Sequence, residues 1–242
     1  MSIDALAVTS VPEAVYEALR ERILTQREAP GAAVTEQAVA DRFGVARPTA
    51  KVALERLVAE GLLRRTAHKT ARVPQLSRDD IVDLYANRAI VEEAALRALA
   101  TRGIVPSEAL AAQRMLADAA RAAHAPAGSA SDRDATAPLA RADIAFHRAL
   151  VEAQPSPRLA RMHALLMGEI ELCTGQVQAH RLLALADVVE QHQRILDAVA
   201  AGDPEAAGRL TRAHIEGARD RLLARYDATR SAPNDEPTHE RD

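Results

Sequence analysis

The stretch from Thr35 to Val73 constrains the chain most, because it sets two short helical patterns, a break and two β-favouring pieces side by side. Thr35 opens a run in which Ala38, Val39 and Phe43 are apolar at helical spacing, and Gly44 ends it. A second run carries Ala50, Leu54, Leu57 and Val58 to a stop at Gly61. That is helix-turn-helix spacing. Leu62 to Thr66 and Ala71 to Val73 then flank the polar turn Ala67-His68-Lys69-Thr70, which predicts a small β-hairpin wing.

Charge points the same way. From Arg42 to Arg72, the basic residues Arg42, Arg47, Lys51, Arg56, Arg64, Arg65, Lys69 and Arg72 face only Glu55 and Glu60, on a chain whose net charge is -3. A basic footprint confined to one region is what duplex DNA binding needs. Arg47 and Lys51 share a face at the N-terminal end of the second helix, the end that reaches base edges in a major groove. Arg47 is the first candidate for a guanine contact, since a guanidinium can bond O6 and N7 together. Arg42, Thr49 and Lys51 complete the helical DNA-binding set, with His68 and Lys69 in the wing turn. A charge run can equally be a solvated face, so the hairpin and the localised excess together carry the reading.

The chain of 242 residues is long enough for two domains with cores of their own, and 48% hydrophobic with 27% charged residues is an ordinary globular balance. A single cysteine, Cys173, excludes an intramolecular disulfide and a cysteine zinc finger. No apolar run is long enough for a bilayer and no signal peptide is evident, so a cytoplasmic protein without a membrane partner is expected. With aromatics at 2%, the cores must be Leu, Val, Ile and Ala, a composition that favours helix.

From Pro12 the apolar positions Val15, Leu19 and Ile23 give a helix that ends before Pro30-Gly31 and packs behind the helix-turn-helix. Residues 1–11 are expected to be a disordered arm, and 12–74 a winged helix-turn-helix domain. Val15-Tyr-Glu-Ala-Leu-Arg-Glu-Arg-Ile, Glu36-Gln-Ala-Val-Ala-Asp-Arg-Phe-Gly-Val-Ala-Arg-Pro-Thr and Leu57-Val-Ala-Glu-Gly-Leu-Leu-Arg-Arg resemble the winged domain of GntR-type bacterial transcription regulators. Where that family usually has Ser, Arg and a wing-tip Gly, this chain has Ala46, Lys51 and Thr70. Pro48 at the first helical position, with Arg47 as N-cap, would offset the lost serine.

Residues 75–77 read as a linker, and 78–228 as an all-helical domain for effector, metal and dimerisation. Ser77 with Asp80 opens the first helix as a capping box, and Gly103 closes it. Arg88 and Glu92, four apart among apolar neighbours, are either a buried pair or part of a polar effector cavity. A helix is expected over Ser107–Ala123, a flexible loop over Ala125–Pro138, and helices over Leu139–Ala153, Leu159–Gln178 and Leu182–Ala201. A last helix follows Gly202-Asp203-Pro204 to about Tyr226, and 229–242 is expected to be a disordered tail.

Asp143 and His147, four apart, project to one side of a helix and can hold one ion. His192 and His214 lie beside apolar residues and could face the bundle interior. Three imidazoles and a carboxylate suit zinc or another first-row divalent ion such as nickel or manganese. A histidine on an apolar face is also a common hydrogen-bonded core residue, so spacing leaves both readings open. His163 and His180 read as surface residues or residues behind the ligands.

The segment Asp143-Ile-Ala-Phe-His147, the segment His192-Gln-Arg-Ile-Leu-Asp-Ala, the Gly202-Asp-Pro turn and His214-Ile are similar to the all-helical FCD domain of FadR-like GntR regulators. The resemblance implies a divalent ion on Asp143, His147, His192 and His214. It also implies a small carboxylate effector and a homodimer on a pseudo-palindromic operator. Gln191 stands where the family commonly has Glu, and Glu171 where many members place a cavity-facing Arg. The expected function is a ligand-responsive transcription regulator, in the repressor sense, and not an enzyme. The other class considered is a metal-dependent hydrolase, against which Asp143 to His147 contains no glutamate to act as general base.

Overall fold

The computed structural model describes residues 10–66, 70–123, 132–176 and 185–231. Helix α1 (Val11–Leu24) is capped by Ser10, whose hydroxyl accepts from the Glu13 amide. After strand β1 (Ala33–Val34), Thr35 caps α2 (Glu36–Phe43), and Gly44 ends it in the left-handed conformation at φ 63°. That conformation suits glycine and turns the chain into α3 (Arg47–Ala59). Ala46, not Arg47, is the N-cap of α3 and offers no side-chain acceptor, while Pro48 occupies the second helical position.

The wing differs from the expected hairpin. Strand β2 (Ala71–Arg72) pairs antiparallel with β1, Ala33 opposite Arg72 and Val34 opposite Ala71, and Arg64 meets Arg72 only as an isolated bridge. Leu62 and Leu63 are both fully buried. Consecutive residues of a strand point to opposite faces, so two neighbours that both enter the core prevent a regular strand there. The turn residues His68 and Lys69 lie outside the described residues.

Ala40 and Val39 of α2, Ala50, Ala53, Leu54 and Leu57 of α3, and Val15, Leu19 and Ile23 of α1 form the core of the winged domain. Leu172, from the far end of the sequence, joins the same cluster.

The second domain begins at α4 (Arg78–Arg102). Ser77 and Asp80 form the capping box, and Gly103 is the left-handed C-cap. Helices α5 (Ser107–Ala123), α6 (Asp132–Glu152), α7 (Pro157–Gln176), α8 (Leu185–Ala200) and α9 (Pro204–Ser231) follow. Helix α6 starts seven residues before the expected Leu139, so part of the presumed loop is helix, consistent with acids at a helix N-terminus and several alanines. Helix α9 outruns its expected end at Tyr226, carrying helix past the expected domain limit at 228.

Two apolar clusters fill the bundle. One joins Leu96 and Leu99 of α4, Phe146 and Leu150 of α6, and Ile195 and Val199 of α8. The other joins Ile81 and Tyr85 of α4, Met167 and Ile170 of α7, and Ile215 and Leu222 of α9. The polar side chains described next lie on α4, α6, α7, α8 and α9, the helices that supply these clusters. Among the described residues no helix is long and apolar enough to cross a membrane.

Candidate metal centre and nucleic-acid face

Asp143 and His147 from α6, His192 from α8 and His214 from α9 bring one donor atom each to within 4.8 Å of one another. The three histidines are buried, and Asp143 is partly exposed. His147 Nε2 and His214 Nε2 are 3.3 Å apart, and His192 Nε2 lies 3.4 Å from His214 Nε2. Asp143 Oδ1 is 3.4 Å from His192 Nε2 and 3.9 Å from His147 Nε2. Donors at the corners of a tetrahedron around zinc stand about 3.3 Å apart for bonds of the usual ~2.0–2.1 Å. Three of these four separations fall there.

The outer ring nitrogens fix which way the lone pairs point. Glu92 lies 2.7 Å from His147 Nδ1 through Oε2. Burial alone would raise the Glu92 carboxyl, but Arg88 beside it, then His147, outweigh that and hold it well below the usual carboxylate range. An ionised carboxylate only accepts, so His147 Nδ1 donates to it, and Nε2 is the ring atom that faces the other donors. His214 Nδ1 donates to Gln191 Oε1 at 2.8 Å, which turns its Nε2 lone pair inward as well. Burial, then the neighbouring His147, pushes both His192 and His214 well below the usual imidazole range. Three ring nitrogens and a carboxylate oxygen thus converge on one point, and protonation of His192 and His214 is disfavoured there. The donor set therefore fits a divalent ion.

His192 is set by a different contact. The Phe146 ring stacks on it at 3.8 Å between centroids, 7° from parallel, while its Nδ1 is buried without a hydrogen-bond partner.

Behind the centre lies a charged network. Arg88 Nε donates to Glu92 Oε1 at 2.7 Å, and His163 Nε2 reaches the same oxygen at 3.0 Å. Glu92 is wholly buried with both oxygens engaged. Arg88 Nη2 is buried with no partner.

On the winged domain, Ala50, Ala53, Leu54 and Leu57 turn inward, so α3 presents Arg47, Pro48, Lys51, Val52 and Glu55 on its outer face. Arg47 and Lys51 side chains are 64% and 54% exposed, held only by Glu36 and Glu55 at 3.6 Å each. Exposed pairs of this kind contribute little, about 0–1 kcal/mol, so both cations can turn to a new partner. Arg42 pairs with Glu28. Arg56 and Arg72 are committed inside the domain. Arg56 lies 3.6 Å over the Tyr16 ring and meets Glu13, and Arg72 donates to the Gly31 carbonyl.

The gntR family pattern of bacterial regulatory proteins matches residues 12–73, and the FCD domain pattern matches 83–217, more than half of the chain. This chain belongs to the FCD-domain GntR regulators. It is 29% identical to the probable D-xylose utilization operon transcriptional repressor of Paenarthrobacter nicotinovorans over 87% of this chain and 88% of that protein. It is 27% identical to the transcriptional repressor NanR of Enterobacter sp. strain 638 over 87% and 84%. The GntR regulator structure from Rhodococcus sp. RHA1 superposes with a TM-score of 0.69 at 25% identity, covering 88% of this chain and 97% of that one. Family and relatives are transcription regulators, not enzymes, and operator DNA is the family's target.

In this regulator the sequence-predicted quartet comes together from three helices. Arg88 and Glu92 are the buried pair expected of them. His163 is not a surface residue but is 1% exposed against Glu92. Glu171 faces away from the histidines and pairs with Arg20 of α1. Sequence reasoning missed Val52, 53% exposed in the middle of the recognition helix. An apolar residue at the outermost position of a helix rich in cations is the signal that could have found it. His124, His180 and His239 lie outside the described residues.

Proposed function

We propose that this regulator is a cytoplasmic homodimeric repressor. Its helical domain carries a divalent ion, zinc by donor type, and releases a pseudo-palindromic operator when a small carboxylate binds. The observation that carries the reading is the inward convergence of three imidazole Nε2 atoms at 3.3–3.4 Å, each ring buried and two oriented by Glu92 and Gln191.

Asp143, His147, His192 and His214 hold the ion. An ion that takes five or six ligands would leave a position beyond these four donors for an oxygen ligand. Asp143, the one partly exposed member of the set, marks the side from which such a ligand enters. Arg88 Nη2, buried without a partner, is the charge that orients the carboxylate, and Glu92 serves the effector end by fixing Arg88. On DNA, Arg47, Thr49 and Lys51 meet the major groove, Arg42, His68 and Lys69 meet phosphates, and the Pro48–Val52 ridge meets an apolar base edge.

Elemental analysis of protein purified without added metal tests the centre. A divalent ion near one per chain, lost in His147→Ala, is expected. Unchanged ion content in that variant defeats the assignment. Carboxylates that raise the melting temperature of wild type but not of Arg88→Leu locate the effector.

A further inference from the structure

Helix α7 has two working faces. His163, Met167, Ile170 and Cys173 recur at three and four residues on the side that packs into the bundle. Leu165, Gly168, Leu172 and Gly175 recur at the same spacing on the opposite side. That second face is seated on the winged domain. Leu172 is fully buried in the winged-domain core. A Cβ on Gly168 would meet the Glu60 carbonyl oxygen at 2.3 Å, and one on Gly175 the Leu24 carbonyl oxygen at 2.7 Å.

Leu24 is the last residue of α1, and Glu60 is the C-cap of the recognition helix α3. The glycine face of α7 therefore grips the C-terminal ends of both helices, at separations only glycine allows. Ion pairs from Arg20 to Glu171 and from Arg64 to Glu169 flank the contact, and Gln176 Nε2 donates to the Pro74 carbonyl while its Oε1 accepts from the Leu76 amide. Beside it, between Gly61, Arg64, Leu165 and Glu169, an open cleft of about 840 Å³ leaves the seam unfilled toward the wing. The seam is thus tight at the helix ends and open at the wing, a geometry that allows tilting.

The other end of α7 reaches the histidine centre. His163 and His147 are joined through a single carboxylate, Glu92, at 3.0 and 2.7 Å. All three are buried.

We propose that His163 is a positioning residue that couples the ion-holding histidines to the recognition helix, with α7 as the rigid connector. The inference rests on the metal reading above and names its route. Filling the centre fixes the His147 ring, Glu92 follows because His147 Nδ1 donates to it, and His163 sets the lengthwise position of α7. A packed helix shifts as a unit, so a small displacement at His163 arrives at Gly168 and moves the end of α3.

Hydrogen exchange on the full chain, with zinc alone as probe against chelator-treated protein, tests this without knowledge of the operator. In wild type, zinc is expected to slow exchange at the bundle histidines and, by about fivefold or more, at residues 57–63 at the end of α3. In His163→Leu the bundle response should remain while the response at 57–63 is lost. His163→Gln, which retains a donor to Glu92, should restore part of it. Gly168→Ala, remote from the histidines, should bind zinc normally and also lose the distant response. A response at 57–63 that persists in His163→Leu overturns the route, as does one that persists in Gly168→Ala or a wild type whose zinc response stops at the bundle. Zinc that binds nowhere instead sinks the metal reading on which the route stands.

Discussion

On α3 the side chains proposed to meet DNA, Arg47 and Lys51, stand more than half exposed and pair with Glu36 and Glu55 at 3.6 Å, whereas in the bundle the three histidines are buried and two of them are held from behind. The recognition face gains its energy when a partner arrives, because Arg47 and Lys51 exchange a weak, screened pair for a phosphate or a base edge. The histidine centre is arranged beforehand, with Glu92 and Gln191 fixing His147 and His214 and with His192 Nδ1 buried without a partner. A point change in the first region should therefore alter binding and spare the fold. A point change in the second should alter the fold itself.

The largest expected effect breaks the second half of that comparison. His147→Ala removes an ion ligand and a donor to the buried Glu92 carboxylate. A lost hydrogen bond to a buried charge costs about 1.5–3 kcal/mol. Loss of an ion present at a thousand times its dissociation constant costs about 4 kcal/mol more. Thermal unfolding with zinc present should show a large drop in midpoint, with operator binding lost as a consequence. A drop no greater than that of Arg47→Ala would mean the centre does not support the fold.

Acid should act on the same region. Burial, then His147, depresses the folded imidazoles of His192 and His214 from the ordinary 6.5. The unfolded chain binds more protons than the folded one below pH 6.5, so this contribution is full above that pH and is lost as pH falls through the folded values. Glu92 has the same sign at lower pH, since its folded value lies under the ordinary 4.5 despite burial. Metal-free protein should therefore melt at progressively lower temperature below about pH 6.5. His192→Leu should flatten part of that fall. An unchanged slope would place the acid-sensitive groups elsewhere.

The two regions also differ in how far they can be read without coordinates. The helix-turn-helix follows from local signals: Thr35 as cap, Gly44 at positive φ and the apolar stripe of α3 are all set by neighbours in the chain. The histidine quartet was legible as a set only through the resemblance of its segments to the FCD domain; spacing put Asp143 and His147 on one helix face but could not say that His192 and His214 would point at them. What escaped was long-range. Leu172 in the winged core and Glu171 on Arg20 depend on where α7 docks, and no local pattern encodes that; of the two readings open for His163, the position behind the ligands is the one observed. The wing was legible in part for a related reason: Arg64 and Arg72 pair antiparallel across the turn, but the strand that meets Ala71–Arg72 is Ala33–Val34. Leu62 and Leu63 have strand propensity, yet tertiary burial took both and left one bridge.

On the exposed side, Arg47→Ala should weaken binding to duplex selected from a random pool by about 1–3 kcal/mol and binding to unselected duplex much less. The melting temperature should stay within a degree or two of wild type, since only the weak pair with Glu36 is lost. Equal losses on both DNAs would reduce Arg47 to a phosphate contact. A clear loss of stability would erase the contrast with the bundle.

The smallest effect sharpens the comparison most, because it concerns a residue with no charge. Val52 is 53% exposed on the outer ridge of α3 beside Pro48, with Lys51 adjacent. In the free protein that exposure stabilises nothing, so Val52 is free to meet an apolar feature of the duplex. The apolar feature a major groove offers is the thymine methyl, absent from uracil. Replacing thymine by uracil one position at a time in the selected duplex should cost wild type about 1 kcal/mol at one step per half-site, the scale of burying one or two methyl groups. Val52→Ala should bind the thymine and uracil forms alike while melting as wild type does. A uracil penalty of the same size in Val52→Ala would assign the methyl to another side chain.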